Sequence, residues 1–90
     1  VVFGYDNELV GHHASILGGT AHEVDYRSVV VGGLGNAATN GGVVIGGQDG
    51  DASGFWSAVL GGQYGDASAN YSTVLGGSSV TTTADYEIGQ

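Results

Sequence analysis

The acidic side chains of this sequence fall into clusters that recur at intervals. They are Asp6 with Glu8, Glu23 with Asp25, Asp49 with Asp51, and Asp66. Carboxylates combined with backbone carbonyls are the ligands that Ca²⁺ prefers. However, the nine-residue period and the Asp register of calcium-binding repeats are absent, and stacked like charges repel one another. We interpret the clusters as a solvated acidic edge that keeps the protein soluble, and we predict no metal and no cofactor.

The histidines and serines offer two further kinds of chemistry. His12 and His13 are adjacent, so their side chains point apart in an extended chain, and a metal site shared with His22 is disfavoured. Ser, His and Asp all occur, but the Gly-x-Ser-x-Gly pattern of a nucleophile elbow is absent. No pair of carboxylates is singled out for glycoside hydrolysis. We therefore predict no catalytic residues and no enzymatic activity.

Aromatic residues recur just before the aliphatic segments of the chain. We call this set the aromatic ridge, and its members are Tyr26, Phe55, Trp56, Tyr71 and Tyr86. Asn40-Gly41 interrupts the series, and we expect the aromatic side chains to stack along one edge of the molecule. Such a ridge suits a sugar or protein ligand, but it equally suits packing between chains of an oligomer. Both interpretations remain open at the level of sequence.

The composition excludes several classes of protein. The chain has 90 residues, one Lys+Arg, nine Asp+Glu and a formal net charge of -8, so it forms at most one small domain. One basic residue cannot neutralise a row of phosphates, which excludes nucleic-acid binding. No apolar run approaches about 18 residues, which excludes membrane insertion by this segment. Because residue 1 is Val rather than Met, we interpret residues 1–90 as one segment of a longer fibre.

A unit of 14 or 15 residues repeats along the chain. Its mark is an aliphatic pair followed by two glycines, and the first glycines of the intact copies are Gly18, Gly32, Gly46, Gly61 and Gly76. A second column of small or aliphatic residues consists of Val10, Val24, Ala38, Ala52 and Ala67. A helix would lose about 2 kcal/mol at each glycine pair, whereas two short strands and two tight turns fit this unit. We predict an all-β parallel solenoid of about six coils.

Both faces of each aliphatic strand are apolar. Alternation along a strand separates one row, Ile16, Val30, Val44, Val59 and Val74, from the flanking row, Leu17, Val31, Ile45, Leu60 and Leu75. A single coil can shelter only one face, so the other face forms an exposed stripe. We expect the first row to be that stripe and to form an oligomer interface, since burying a Val or Ile contributes roughly 1.5 kcal/mol or more. Closed cyclic symmetry is the natural form of such an assembly.

The repeat resembles the head repeat of the trimeric autotransporter adhesins, the YadA-like β-roll. The resemblance rests on Ser-Val-Val-Val-Gly-Gly at 28–33 with Asn-Ala-Ala-Thr at 36–39, and again on 57–67 and 72–77. It implies a left-handed β-roll, a homotrimer, and an extracellular, cell-surface fibre that adheres to a host glycan or matrix protein. Similar repeats occur in phage tail fibres. A tail-fibre or injection-machine segment that binds a receptor at a virion surface, and a purely structural filament, are the alternatives.

Overall fold

The described part of the chain forms a parallel β-solenoid and contains no helix. The computed structural model describes residues 2–9 and 13–89, and it winds this part of the chain into about five turns. The sequence count of about six includes the flanking copies, and the last of these contributes only one strand. No helix of the length and hydropathy needed to cross a membrane occurs within the described residues.

Within residues 2–9 and 13–89, thirteen short strands alternate between two sheets. Sheet 1 contains β1 (Val2–Tyr5), β3 (Ser15–Thr20), β5 (Val29–Val31), β7 (Val43–Ile45), β9 (Ala58–Val59), β11 (Thr73–Val74) and β13 (Ile88–Gly89). Sheet 2 contains β2 (Glu8–Leu9), β4 (Glu23–Val24), β6 (Ala37–Ala38), β8 (Asp51–Ala52), β10 (Asp66–Ala67) and β12 (Thr81–Thr82). Every strand pairs in parallel with the equivalent strand of the next coil, so the register of both sheets equals the sequence repeat.

Each coil has two arms, one leading from sheet 1 to sheet 2 and a return turn leading back, and the two arms vary in length at different places. From Ile16 onward the arm from sheet 1 to sheet 2 spans eight positions, as from Val30 to Ala38 and from Val59 to Ala67. In the first coil it spans seven, from Val2 to Leu9, and a register shift between Phe3 and Tyr5 accompanies the shorter arm. The return turn from sheet 2 to sheet 1 spans six positions from Ala38 to Val44 but seven from Ala52 to Val59. The additional residue of the 15-residue coils therefore lies in the return turn.

The two glycines of each pair have different tasks. A Cβ on Gly33 would lie 2.4 Å from the carbonyl oxygen of Gly47, and a Cβ on Gly47 would lie 2.6 Å from that of Gly62. A Cβ on Gly32 would meet nothing within 4 Å, although its φ is 66°. The second glycine thus permits the close approach of successive coils, whereas the first is needed only for its left-handed backbone conformation.

The interior of the solenoid is thin and takes one aliphatic row from each sheet. The Cα atoms span only 11 Å in the shortest direction, which matches two sheets packed about 10 Å apart. The inward row of sheet 1 is fully buried and consists of Ile16, Val30, Val44, Val59 and Val74. It packs against the buried row of sheet 2, which consists of Val24, Ala38, Ala52 and Ala67, while Val10 lies outside the described residues.

The predicted orientation of sheet 1 is therefore wrong. Ile16, Val30, Val44, Val59 and Val74 have at most 1 % of their surface exposed, so they form the core of the coil and not an exposed oligomer interface. The physical reason is the width of the lumen. Each strand has a single middle residue, and one β-branched side chain facing an alanine fills the space between the sheets. The two flanking residues of each strand then point outward.

Candidate functional site

The outward side of sheet 1 is an exposed apolar surface without charge. Leu17, Ile45, Leu60 and Leu75 are each between 43 % and 46 % exposed, and Val31 is half-buried. A second, half-buried outward column runs beside them and consists of Ser15, Val29, Val43, Ala58 and Thr73. We call these two columns the apolar face. The exposed stripe predicted from the sequence is thus present, but it is built from the other row of the strands.

The outward side of sheet 2 is acidic. The register of the sheet aligns Glu8, Glu23, Ala37, Asp51, Asp66 and Thr81 in one ladder. Burial raises the pKa of Asp51 above its ordinary value, the neighbouring charge of Asp66 raises it further, and a hydrogen bond from Ser53 opposes both effects. The described residues bring together no group of three or more His, Asp or Glu side chains that could hold a metal ion.

The aromatic ridge lies along the return turns, where the sequence placed it. Tyr26, Phe55, Trp56, Tyr71 and Tyr86 are all about half-exposed or more, and the rings of Tyr71 and Tyr86 stack with centroids 5.1 Å apart and planes 6° apart. Backbone hydrogen bonds hold successive turns together, among them Trp56 N–H to the Asn40 carbonyl at 3.1 Å and Tyr71 N–H to the Phe55 carbonyl at 2.8 Å. The ridge is therefore a stacked outer edge rather than a part of the core.

A cleft opens in the ridge at the turn that carries Asn40 and Gly41. It has a volume of about 170 Å³ and is lined by Tyr26, Arg27, Asn40, Gly41, Phe55 and Trp56. Gly41 lets the indole of Trp56 lie against the backbone on one wall, because a Cβ there would lie 2.4 Å from Cε3 of Trp56. On the other wall, the guanidinium carbon of Arg27 lies 5.3 Å from the centre of the Tyr26 ring.

The histidines do not converge on one site. His13 is exposed, His22 is buried inside the solenoid, and His12 lies outside the described residues. Nδ1 of His22 accepts a hydrogen bond of 3.2 Å from the backbone N–H of Asn36, while Nε2 is buried without a partner at hydrogen-bond geometry. Burial lowers the pKa of His22, and the backbone carbonyls of Gly32 and Gly18 partly offset this effect.

His22 belongs to a column of interior polar groups that the sequence interpretation missed. Oδ1 of Asn7 accepts a 3.0 Å hydrogen bond from the backbone N–H of His22, and Oδ1 of Asn36 accepts one of 2.8 Å from Gly50. Nδ2 of Asn36 donates to the carbonyls of Gly32 and Gly46 in two successive coils. The signal for this column was its spacing, because residues 7, 22, 36 and 50 occupy equivalent places in the repeat.

Buried serines close the return turns from inside. The hydroxyl of Ser57 donates to the Gly54 carbonyl at 2.9 Å, and that of Ser72 contacts the Ala69 carbonyl at 2.6 Å. Ser28 receives a 3.2 Å hydrogen bond from the backbone N–H of Gly41. These contacts fix the backbone that carries the aromatic ridge.

Comparison with known proteins identifies no relative of this chain. No family model matches the sequence, and neither a curated protein nor a solved structure is similar to it.

Proposed function

We propose that this chain is a segment of a homotrimeric extracellular fibre that displays its β-roll for adhesion to a host glycan or matrix protein. The left-handed winding, the threefold symmetry and the location at a cell surface come from the resemblance to the trimeric autotransporter adhesin heads. The physical support for self-association comes from the apolar face.

The apolar face is the observation that carries the proposal. It presents half-exposed Leu and Ile side chains on a regular parallel sheet, and parallel sheets are normally covered on both sides. The broad dimensions of the roll are 31 and 24 Å, so one face is of the order of the 800 Å² per partner that a stable interface buries. Burying the remaining surface of each Leu or Ile contributes about 1 kcal/mol.

The distribution of charge favours the same association. The ladder that contains Glu8, Glu23, Asp51 and Asp66 lies outward on sheet 2, on the opposite side of the roll from the apolar face. Three copies can therefore meet through their apolar faces without bringing these carboxylates together. The exposed members of this ladder, Glu8, Glu23 and Asp51, then face solvent, where a net charge keeps an assembly soluble.

A measurement of mass in solution tests the trimer. Light scattering coupled to gel filtration should give three times the chain mass for the wild type at micromolar concentration. Ile45→Lys places a charge in the centre of the apolar face and should release monomers. Ala37→Lys is the matched control, because it places the same charge on sheet 2 between Glu23 and Asp51, and it should leave the mass unchanged. A wild type that is monomeric at all concentrations would refute the proposal.

The chain is proposed to act by binding and not by catalysis. Ser, His and Asp side chains are not gathered around a substrate-sized cleft in the described residues: His22 is enclosed in the core, and Asp51 and Asp66 lie on a flat sheet. Beads coated with the wild-type trimer should adhere to surfaces of host glycan or matrix protein, and beads coated with Ile45→Lys should adhere less because single copies lose multivalent contact.

A further inference from the structure

The cleft beside Gly41 has the dimensions of a site for a single ring. Tyr26, Asn40 and Phe55 occupy equivalent places in three successive turns, so the two rings stand two coil spacings apart, about 9–10 Å, with the smaller Asn40 between them. Stacked rings lie about 4.5 Å or more apart, so one ring fits between the two walls. The volume of about 170 Å³ is below the roughly 300–1,000 Å³ of clefts that enclose larger ligands.

The aromatic side chains of this edge stand on a left-handed backbone and remain exposed. Trp56, Tyr71 and Tyr86 have φ angles of 55°, 56° and 65°, and this left-handed conformation costs a residue with a side chain about 1–2 kcal/mol. Gly41 fills the equivalent place with a φ of 81° and no such cost. Arg27 has the same conformation, with a φ of 56°, so the geometry of the turn imposes the left-handed backbone whatever the side chain. What the edge offers a ligand is the exposed ring itself, since Trp56 is 53 % exposed.

The charge of the cleft differs from that of the remaining surface. Arg27 is the only Lys or Arg in a chain with a formal net charge of -8. No described carboxylate lies within ion-pair distance of its guanidinium. The nearest acidic residue in sequence, Asp25, accepts a 2.7 Å hydrogen bond from the backbone N–H of Tyr26 instead. Arg27 therefore offers unpaired donors beside an aromatic wall, and a guanidinium binds a carboxylate with two parallel hydrogen bonds.

We propose that this cleft binds a sugar ring that carries a carboxylate. The apolar C–H face of a pyranose packs on the aromatic rings of Tyr26 and Trp56, the carboxylate pairs with Arg27, and the amide of Asn40 reaches the hydroxyl groups. The inference deepens the adhesive function proposed above and rests on it for its biological role. The binding geometry itself is complete within one chain and needs no oligomer.

Trp56 allows the binding to be measured directly, because it is the only tryptophan in the sequence. Titration with trigalacturonic acid should change the tryptophan fluorescence in a saturable manner, and maltotriose, the neutral probe of equal length, should not. Arg27→Gln should weaken binding roughly tenfold or more, the usual effect of losing a charge-assisted hydrogen bond. High salt should weaken the binding of the wild type.

Tyr86→Ala provides the matched control, because it removes an exposed ring of the same ridge outside the cleft and should leave binding unchanged. Circular dichroism shows that each variant remains folded. Equal affinity for maltotriose, full affinity in Arg27→Gln, or no saturable change in fluorescence would each overturn the inference. Light scattering on the same samples separates the two proposals: a trimer that does not bind refutes only the cleft, and a monomer that binds refutes only the trimer.

Discussion

Gly33→Ala tests whether the glycine pairs set the spacing of the coils. Both glycines of the pair have positive φ, 66° at Gly32 and 88° at Gly33, so alanine at either place meets the same backbone penalty of about 1–2 kcal/mol. A smaller gain of about 0.4–1 kcal/mol offsets it, because alanine restricts the unfolded chain. Gly32→Ala meets no other atom within 4 Å, and it should destabilise the fold by about 1 kcal/mol.

Gly33→Ala adds a collision to this penalty. Its Cβ would lie 2.4 Å from the Gly47 carbonyl oxygen, about 1 Å closer than ordinary contact. The next coil must move away, and the 3.0 Å hydrogen bond from the Leu34 N–H to that same oxygen would then be lost. An unmade buried hydrogen bond costs about 1–3 kcal/mol. The total loss should reach about 2–4 kcal/mol, a large part of the stability of a small domain.

Urea and thermal unfolding, followed by far-UV circular dichroism, measure the difference between the two variants. For a domain of this size, 1 kcal/mol corresponds to roughly 4–8 °C in Tm. Gly32→Ala should therefore lower Tm by roughly 4–8 °C, and Gly33→Ala should lower it by at least twice as much. Equal destabilisation of the two variants would show that conformation alone, and not the approach of coils, requires the second glycine.

Three further variants test the polar contacts. His22→Asn should remove an acid sensitivity: because burial lowers the pKa of His22, the unfolded state binds the proton first, and wild-type stability falls as pH drops below about 6.5. Urea unfolding at pH 5 and pH 8 should show this loss for the wild type and less of it for the variant. Asp66→Asn should stabilise the protein by about 0.2–1 kcal/mol at pH 7 by removing the charge opposite Asp51. Since the pKa of Asp51 is raised, the gain should vanish at a pH below its titration, and an equal gain at low pH would contradict the repulsion. Ser57→Ala leaves the Gly54 carbonyl without its buried donor and should cost about 1 kcal/mol in the free energy of unfolding; no change in urea midpoint would contradict this role.

The solenoid was predictable from the sequence because its determinants repeat. The glycine pairs mark a turn in each coil, and the alternation around Val30 or Val44 marks a strand with two apolar sides. Which side faces inward was predicted wrongly, because alternation is symmetric with respect to the two faces. The size of the lumen decides it, and the serine two places before Val30 and Val59 indicated the interior side, since Ser28 and Ser57 are buried with those valines.

The hydropathy pattern of the sequence did not predict the interior polar column. His22 and Asn36 are polar and Gly50 has no side chain, yet all three lie at the same point of their coils. The backbone N–H of Asn36 donates to His22, and that of Gly50 donates to Asn36. The location of the aromatic ridge followed from the sequence, but the cleft did not. Its shape depends on how Trp56 lies over Gly41, which is a matter of side-chain conformation.

The variable length of the return turn has a consequence for protein engineering. The arm from sheet 1 to sheet 2 keeps eight positions from Ile16 onward, and its shorter form in the first coil brings a register shift into β1. The return turn, in contrast, already accommodates an additional residue in three successive coils, ending at Val59, Val74 and Gly89, with the strands in register. A foreign peptide should therefore be tolerated better in a return turn than in the opposite arm of the coil. The same edge could present several grafted loops at a fixed spacing of one coil, as a scaffold for multivalent display.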